Sequence, residues 1–333
     1  MTANKVTRTD DKALLLPQIL HPDIFRHVVS NLPPSDLAHV IRVNKALYDM
    51  AGSVLYRRIT VDTCASLSRN ALQGSTVDLV RKTRSQPASP CGNLKQRLLD
   101  YTEVLHVENE GFYAWSRKRI FCGLSLPRLR VLHLDREHPE GEPDRRFLFR
   151  LYAETLIANW EIFAPGNANS LNSDRVLQHL KQIPNVIYVI DLKWMYGPWS
   201  RVAASLRFWW MKLKEDPAQT SAAILFKVPS YGSFDFTPGL YTAVARFCAN
   251  HTIPTTIVGV DEVQMQLEGL KQASTETAKF TKRFQDAVER EYICSPKGKG
   301  KNLAHVRFCT VTEYIDSVSD MIGKEIRMVI DRE

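Results

Sequence analysis

Four acidic residues stand where short apolar runs end: Glu108, Asp135, Asp191 and Asp261. In open α/β sheets ligands gather at the carboxyl ends of strands, so a row of carboxylates there suits metal binding or acid–base chemistry. An aspartate after a strand also caps the next loop or helix through its side chain, and that structural role is the expected one. His106 and His133 hold equivalent places in two apolar runs, Val104-Leu105-His106-Val107 and Val131-Leu132-His133-Leu134. Paired in register, they would lie one inter-strand spacing apart, about 5 Å. A metal would need a third ligand, for which only Glu108 or Asp135 is near in sequence; no metal and no cofactor are expected. A surface pair that helps to hold a target protein is the functional alternative. The run Lys193-Trp194-Met195-Tyr196-Gly197-Pro198-Trp199 has loop composition. Trp194, Tyr196 and Trp199 are residue types favoured at interface centres, or they fold back as a lid on the sheet end.

Signatures of catalysis are otherwise missing. The chain has no Gly-x-Ser-x-Gly elbow, no His-Glu-x-x-His and no Gly-x-Gly-x-x-Gly after a strand. Lys297-Gly298-Lys299-Gly300-Lys301 lacks the Gly-Lys-Ser/Thr ending of a phosphate loop and precedes a strand, so it reads as a solvated loop. The six cysteines (Cys64, Cys91, Cys122, Cys248, Cys294, Cys309) are scattered. Scattered thiols fit neither a clustered zinc site nor a disulfide framework, and point to a reducing cytoplasm or nucleus. No catalytic residue is assigned, and a non-enzyme is the expectation.

The 333 residues carry a formal charge of +8, with 44% hydrophobic and 24% charged residues, ordinary values for a globular protein with ample core. Lys and Arg are dispersed, apart from Arg117-Lys118-Arg119, Arg145-Arg146 and the 297–301 loop. A nucleic-acid-binding protein concentrates them on one face, so such a partner is not expected. An acidic or phosphorylated protein partner fits the charge equally well. No apolar run approaches the roughly eighteen residues of a membrane span, and residues 1–14 read as a polar, frayed tail.

The elements that must position these residues alternate along the chain. Strands are predicted at Glu103–Val107, Arg130–Leu134, Leu156–Phe163, Val186–Leu192, Ala223–Val228, Thr255–Val260 and His305–Val311. Helices are predicted near 113–122, 145–153, 174–182, 201–214, 238–250, 274–291 and 312–324. The first two strand-to-strand intervals fit the roughly 20–29 residues of a leucine-rich repeat, and the later ones are longer. Leu126-Pro127-Arg128-Leu129-Arg130-Val131-Leu132 and Ile183-Pro184-Asn185-Val186-Ile187 echo each other as Pro-led strand entries. The expected fold is therefore α/β, with residues 101–333 as an irregular leucine-rich-repeat-like solenoid and a doubly wound sheet as the alternative. In the solenoid, one sheet face is open and both histidines point to it.

Ahead of this lies a helical stretch. Ile24, Phe25, Val28 and Val29, then Leu37, Val40, Ile41 and Val43, then Leu47, Met50 and Ala51 recur at helical spacing. Pro33-Pro34-Ser35-Asp36 supplies a stop and then an N-cap, from Ser35 or Asp36. Three helices this short do not persist alone in water. Apolar residues on more than one face of them require a second surface to dock on.

The stretch resembles the F-box, the helical module that joins a protein to a Skp-family adaptor of a cullin-RING ubiquitin ligase. Leu20, Asp23, Ile24 and Phe25 fall on the family's opening, Leu32, Asp36 and Leu37 on its middle, and Val43 with Tyr48 on its end. His21 replaces the usual proline, with Pro22 one place late, and Asp23 replaces glutamate. Leu55-Tyr56-Arg57-Arg58-Ile59 is similar to the segment leading out of F-box-like modules in many fungal proteins. The resemblance covers about one seventh of the chain. It implies a module at 15–58, a transition at 59–100 and a target-binding domain beyond. It further implies adaptor contacts at Leu20, Pro22, Ile24, Phe25, Leu32, Leu37, Val40 and Val43. The implied function is that of an SCF-type substrate receptor, bound through the adaptor to a cullin and holding an unidentified target protein. Two other readings stay open: a stand-alone repeat scaffold whose first helices cap the solenoid, and an α/β enzyme using the strand-end carboxylates.

Overall fold

β-branched and leucine-rich runs of four to seven residues, each led in by a polar residue or proline, form the strands of one sheet. The computed structural model describes residues 22–43, 45–62, 97–108, 126–134, 152–159, 182–191, 220–227, 244, 247–248, 253–261, 273–294 and 303–331. The strands are β1 (Arg58–Asp62), β2 (Val104–Glu108), β3 (Val131–Leu134), β4 (Thr155–Asn159), β5 (Asn185–Asp191), β6 (Ser221–Lys227), β7 (Thr255–Val258) and β8 (Val306–Cys309). All seven predicted strands are present among the described residues, with ends that differ by a few residues; predicted positions 160–163, 192 and 228 lie outside the described residues. β1 is an addition: residues 58–62 are the edge strand of the sheet, not the start of a transition.

Every neighbouring pair is parallel, and the order across the sheet is β1 to β8 without a reversal. A doubly wound sheet reverses its order once, at the switch point. The fold is thus α/β with a single all-parallel sheet, and the chain crosses it in one direction. A ladder of polar pairs at the amino ends of the strands supports the register. Arg57 Nε donates to Glu103 at 2.9 Å and Arg130 Nε to Glu154 at 3.0 Å. Next along, Asn185 donates to the Glu154 carbonyl at 3.0 Å and accepts from Ser221 Oγ at 2.7 Å.

Both faces of the sheet are buried, which is how parallel sheets ordinarily occur. The back face carries Leu105, Leu132, Leu156, Tyr188, Ile224, Phe226 and Ile257. Phe247 meets Tyr188 edge-on, and Phe284 bridges Phe226 and Phe308 in the same geometry. Phe284 belongs to α4 (Ala273–Cys294), the helix connecting β7 to β8. The front face carries Val104, Val131, Ile157, Ile187, Leu225 and Val258 and is covered by two helices that follow β8. These are α5 (Val311–Ser317) and α6 (Asp320–Asp331). A single helix was expected over 312–324. The chain instead breaks at Val318, which is extended (ψ 172°). α5 starts with a capping box: Glu313 N–H donates to Thr310 Oγ1 at 3.1 Å, and Thr310 N–H donates back to Glu313 at 2.9 Å.

The amino-terminal helices are α1 (Pro22–Ser30), α2 (Pro34–Val43) and α3 (Lys45–Leu55). Ser30 Oγ and Asn31 Nδ2 both donate to the His27 carbonyl at 2.8 Å, which closes α1. The Pro33 carbonyl takes the Leu37 amide at 3.1 Å, so α2 begins at Pro34. Ser35 and Asp36 therefore lie in its first turn and not at the N-cap, with Pro34 at the first helical position that its fixed φ suits. Asp36 still favours the helix by placing negative charge at its positive end.

α3 runs within three residues of β1, and a helical turn at 97–100 packs on it. Arg97 pairs with Asp49 across this junction. A Cβ at Gly52 would come 2.3 Å from Leu98 Cδ2, inside a buried contact. Glycine within a helix costs about 1 kcal/mol relative to alanine, so its use here reflects the close approach. Gly52→Val is expected to destabilise the chain by about 1–3 kcal/mol through overpacking, read by urea denaturation.

Candidate functional site

Two places bring together the residues singled out by sequence. The first is the outward side of α1. Ile24 and Val28, one helical turn apart, are 54% and 47% exposed. The opposite side of the same helix is sealed: Val29 packs with Leu37 and Ala51 in a small core flanked by Phe25, Leu32, Val40 and Ile41. The amphipathic pattern of α1 thus exceeds what its own module uses. Elsewhere on the same helix Arg26 and Asp23 form an exposed pair at 3.8 Å.

The eight expected adaptor contacts divide on this geometry. Ile24 is exposed, while Phe25, Leu32 and Val40 are half-buried at the edge of the small core. Leu37, expected at the adaptor surface, is a correction: at 3% exposed it is a core residue of the module. Its helical spacing fitted either side, and packing against Val29 and Ala51 decided the matter. Leu20 lies outside the described residues, as do the side chains of Pro22 and Val43.

The second place is the front face of the sheet. His106 and His133 are register partners, with rings stacked 4.2 Å apart at 18°. Their pairing agrees with the sequence; their setting does not. Both were expected on an open face, yet they are 0% and 3% exposed beneath α6. As they stand, they touch no target. The cover brings Glu325, itself 2% exposed. Its Oε2 accepts from Arg58 Nη2 at 3.1 Å and lies 3.9 Å from His133 Nδ1. Polar residues on a sheet face read as solvent-facing, but a charged partner brought from a distant helix allows them inside. Glu325 itself carried a signal: it shares one helix face with Ile322, Ile326 and Val329, a charge within an apolar stripe.

Of the strand-end carboxylates, Glu108 and Asp191 close β2 and β5. Asp191 faces Lys227 on the adjacent strand at 3.7 Å. Asp261 follows β7, and Asp135 lies outside the described residues, as do Trp194, Tyr196, Trp199 and the 297–301 loop. Among the described residues, no cluster of three or more His, Cys, Asp or Glu is arranged to hold a metal. Among the same residues, no helix is long and apolar enough to cross a membrane.

Burial pushes the Cys248 thiol up to about 12 and the Cys309 thiol up to about 11. Both are therefore protonated at neutral pH, and the thiolate is the reactive form. Iodoacetamide at pH 7.5 is expected to alkylate exposed Cys294 while sparing Cys248 and Cys309, read by peptide mass spectrometry. Tyr314, on the covering helix α5, is raised by burial first and by its neighbour Cys309 second.

No family model, curated protein or solved structure matches the chain.

Proposed function

We propose that the chain is the substrate receptor of an SCF-type cullin-RING ubiquitin ligase, docking a Skp-family adaptor through α1–α3 and a target protein through the larger α/β part. The observation that carries this reading is the pair Ile24 and Val28, aliphatic, adjacent on one helix face and half exposed. Each is already about half buried, so completing its burial contributes about 0.7–1.5 kcal/mol, and a partner with an apolar groove gains docking energy there. The F-box resemblance names that partner. We further read the sheet as an irregular leucine-rich-repeat-like solenoid, a reading supported by the strand order, which runs β1 to β8 without reversal. Right-handed crossovers between successive neighbours place the connections on one side of such a sheet.

The receptor acts by tethering. It performs no bond chemistry, and raises the local concentration of a target beside the ligase's ubiquitin-carrying enzyme. α3 enters β1 after two residues, so an adaptor docked on the helices stands beside the first strand of the sheet. The test is affinity capture of the tagged full-length chain, probed for a Skp-family adaptor and a cullin. Recovery of both in stoichiometric amounts is the expected result, and recovery of neither overturns the reading.

A further inference from the structure

The Arg58–Glu325–His133 contact has unusual chemistry for a core. A guanidinium and an imidazole converge on one carboxylate, with the second imidazole stacked behind the first. Residues of matched volume and no charge would stabilise such a position at least as well, so a buried ion pair is weak evidence for a purely structural role. Glu325 is also an incomplete occupant. It engages Arg58 through Nη2 alone, while the buried Nε has no hydrogen-bond partner among the described residues. A guanidinium presents its donors as a fork that a two-oxygen anion can satisfy together. The same carboxylate oxygen lies 3.9 Å from His133 Nδ1.

We propose that Arg58, His106 and His133 form an anion-binding pocket on the covered face of the sheet, that Glu325 fills it as an internal ligand, and that an acidic segment of a partner protein displaces α6 to take its place. Glu325 lies on the apolar stripe of α6, between Ile322 and Ile326, so its carboxylate enters the pocket only when α6 is seated. Releasing α6 uncovers Val104, Val131 and Ile157 together with the pocket. The incoming segment is therefore amphipathic, with a carboxylate or phosphate amid apolar side chains. This inference does not depend on adaptor docking by the amino-terminal helices.

The experiment uses the full-length chain carrying Glu325→Ala, with sodium acetate and inorganic phosphate as probes and sodium chloride at matched ionic strength as control. Acetate or phosphate is expected to raise its Tm saturably, by about 3 °C or more at concentrations far above Kd. The arm with the larger rise tells whether the pocket prefers a carboxylate or a phosphate group. Adding Arg58→Gln is expected to remove the rise. In the unsubstituted chain, the better anion is expected to speed hydrogen exchange at residues 320–331 at least threefold while leaving β5 and β6 unchanged. No gain over chloride, an equal gain in the double variant, or unchanged exchange in α6 overturns the proposal. If Glu325→Ala fails to fold in plain buffer, refolding yield with acetate becomes the readout, and no recovery counts against the proposal in the same way.

Discussion

Replacing Ile24 and Val28 together by aspartate is expected to weaken capture of a Skp-family adaptor at least a hundredfold. Both side chains already face water, so the change leaves the folded chain close to its original stability, within about 0.5 kcal/mol per site. In a complex they lie against the partner's apolar groove, and the substitutions both remove that burial and force carboxylates into it. With half of each side chain left to bury, the two lost contacts amount to about 1.5–3 kcal/mol; the desolvated carboxylates add to that, and each 1.4 kcal/mol is a factor of about ten in Kd. Calorimetry with purified adaptor, alongside a melting curve of the double variant, separates docking from folding. Unaltered affinity would remove α1 from the interface.

Leu37→Asp is expected to give the opposite pattern, with the fold failing first. Leu37, Val29 and Ala51 are the buried apolar centre of the three helices. Removing a buried leucine side chain costs about 2–5 kcal/mol, and an unpaired carboxylate in its place adds to that. A unit of three short helices has little stability in reserve. Hydrogen exchange is expected to show residues 22–55 losing protection while β4–β7 keep theirs. Adaptor capture would disappear as well, but through unfolding, which a circular-dichroism difference reveals. If the variant keeps native helicity, Leu37 is not the keystone that its burial indicates.

Much of this architecture was legible in the sequence, for a physical reason. Runs such as Val186-Ile187-Tyr188-Val189-Ile190 and Ala222-Ala223-Ile224-Leu225-Phe226 are short, continuous and apolar, the pattern of strands buried on both sides. The pairing of His106 with His133 followed from two strands entered in the same way. β1 was harder to see, because Arg58-Ile59-Thr60-Val61-Asp62 holds only three β-branched residues between two charges and sits against a helix end. The covered face was harder still. Arg58 and Glu325 are separated by 267 positions, and no local pattern links them. The break between α5 and α6 depended on backbone geometry at Val318, which helical periodicity runs straight through.

The unbroken order of the strands has a consequence for biosynthesis. A ribosome delivers each strand beside the one it has just released, so pairing can advance with the emerging chain, neighbour upon neighbour. Arg58 emerges with the first of these strands, and its acidic counterpart, Glu325, clears the ribosome only after the eighth. Throughout synthesis the nascent sheet therefore carries a bare greasy surface with an unneutralised cation at its rim, a feature a chaperone can recognise. That surface is sealed only when the two helices that follow β8 have also emerged.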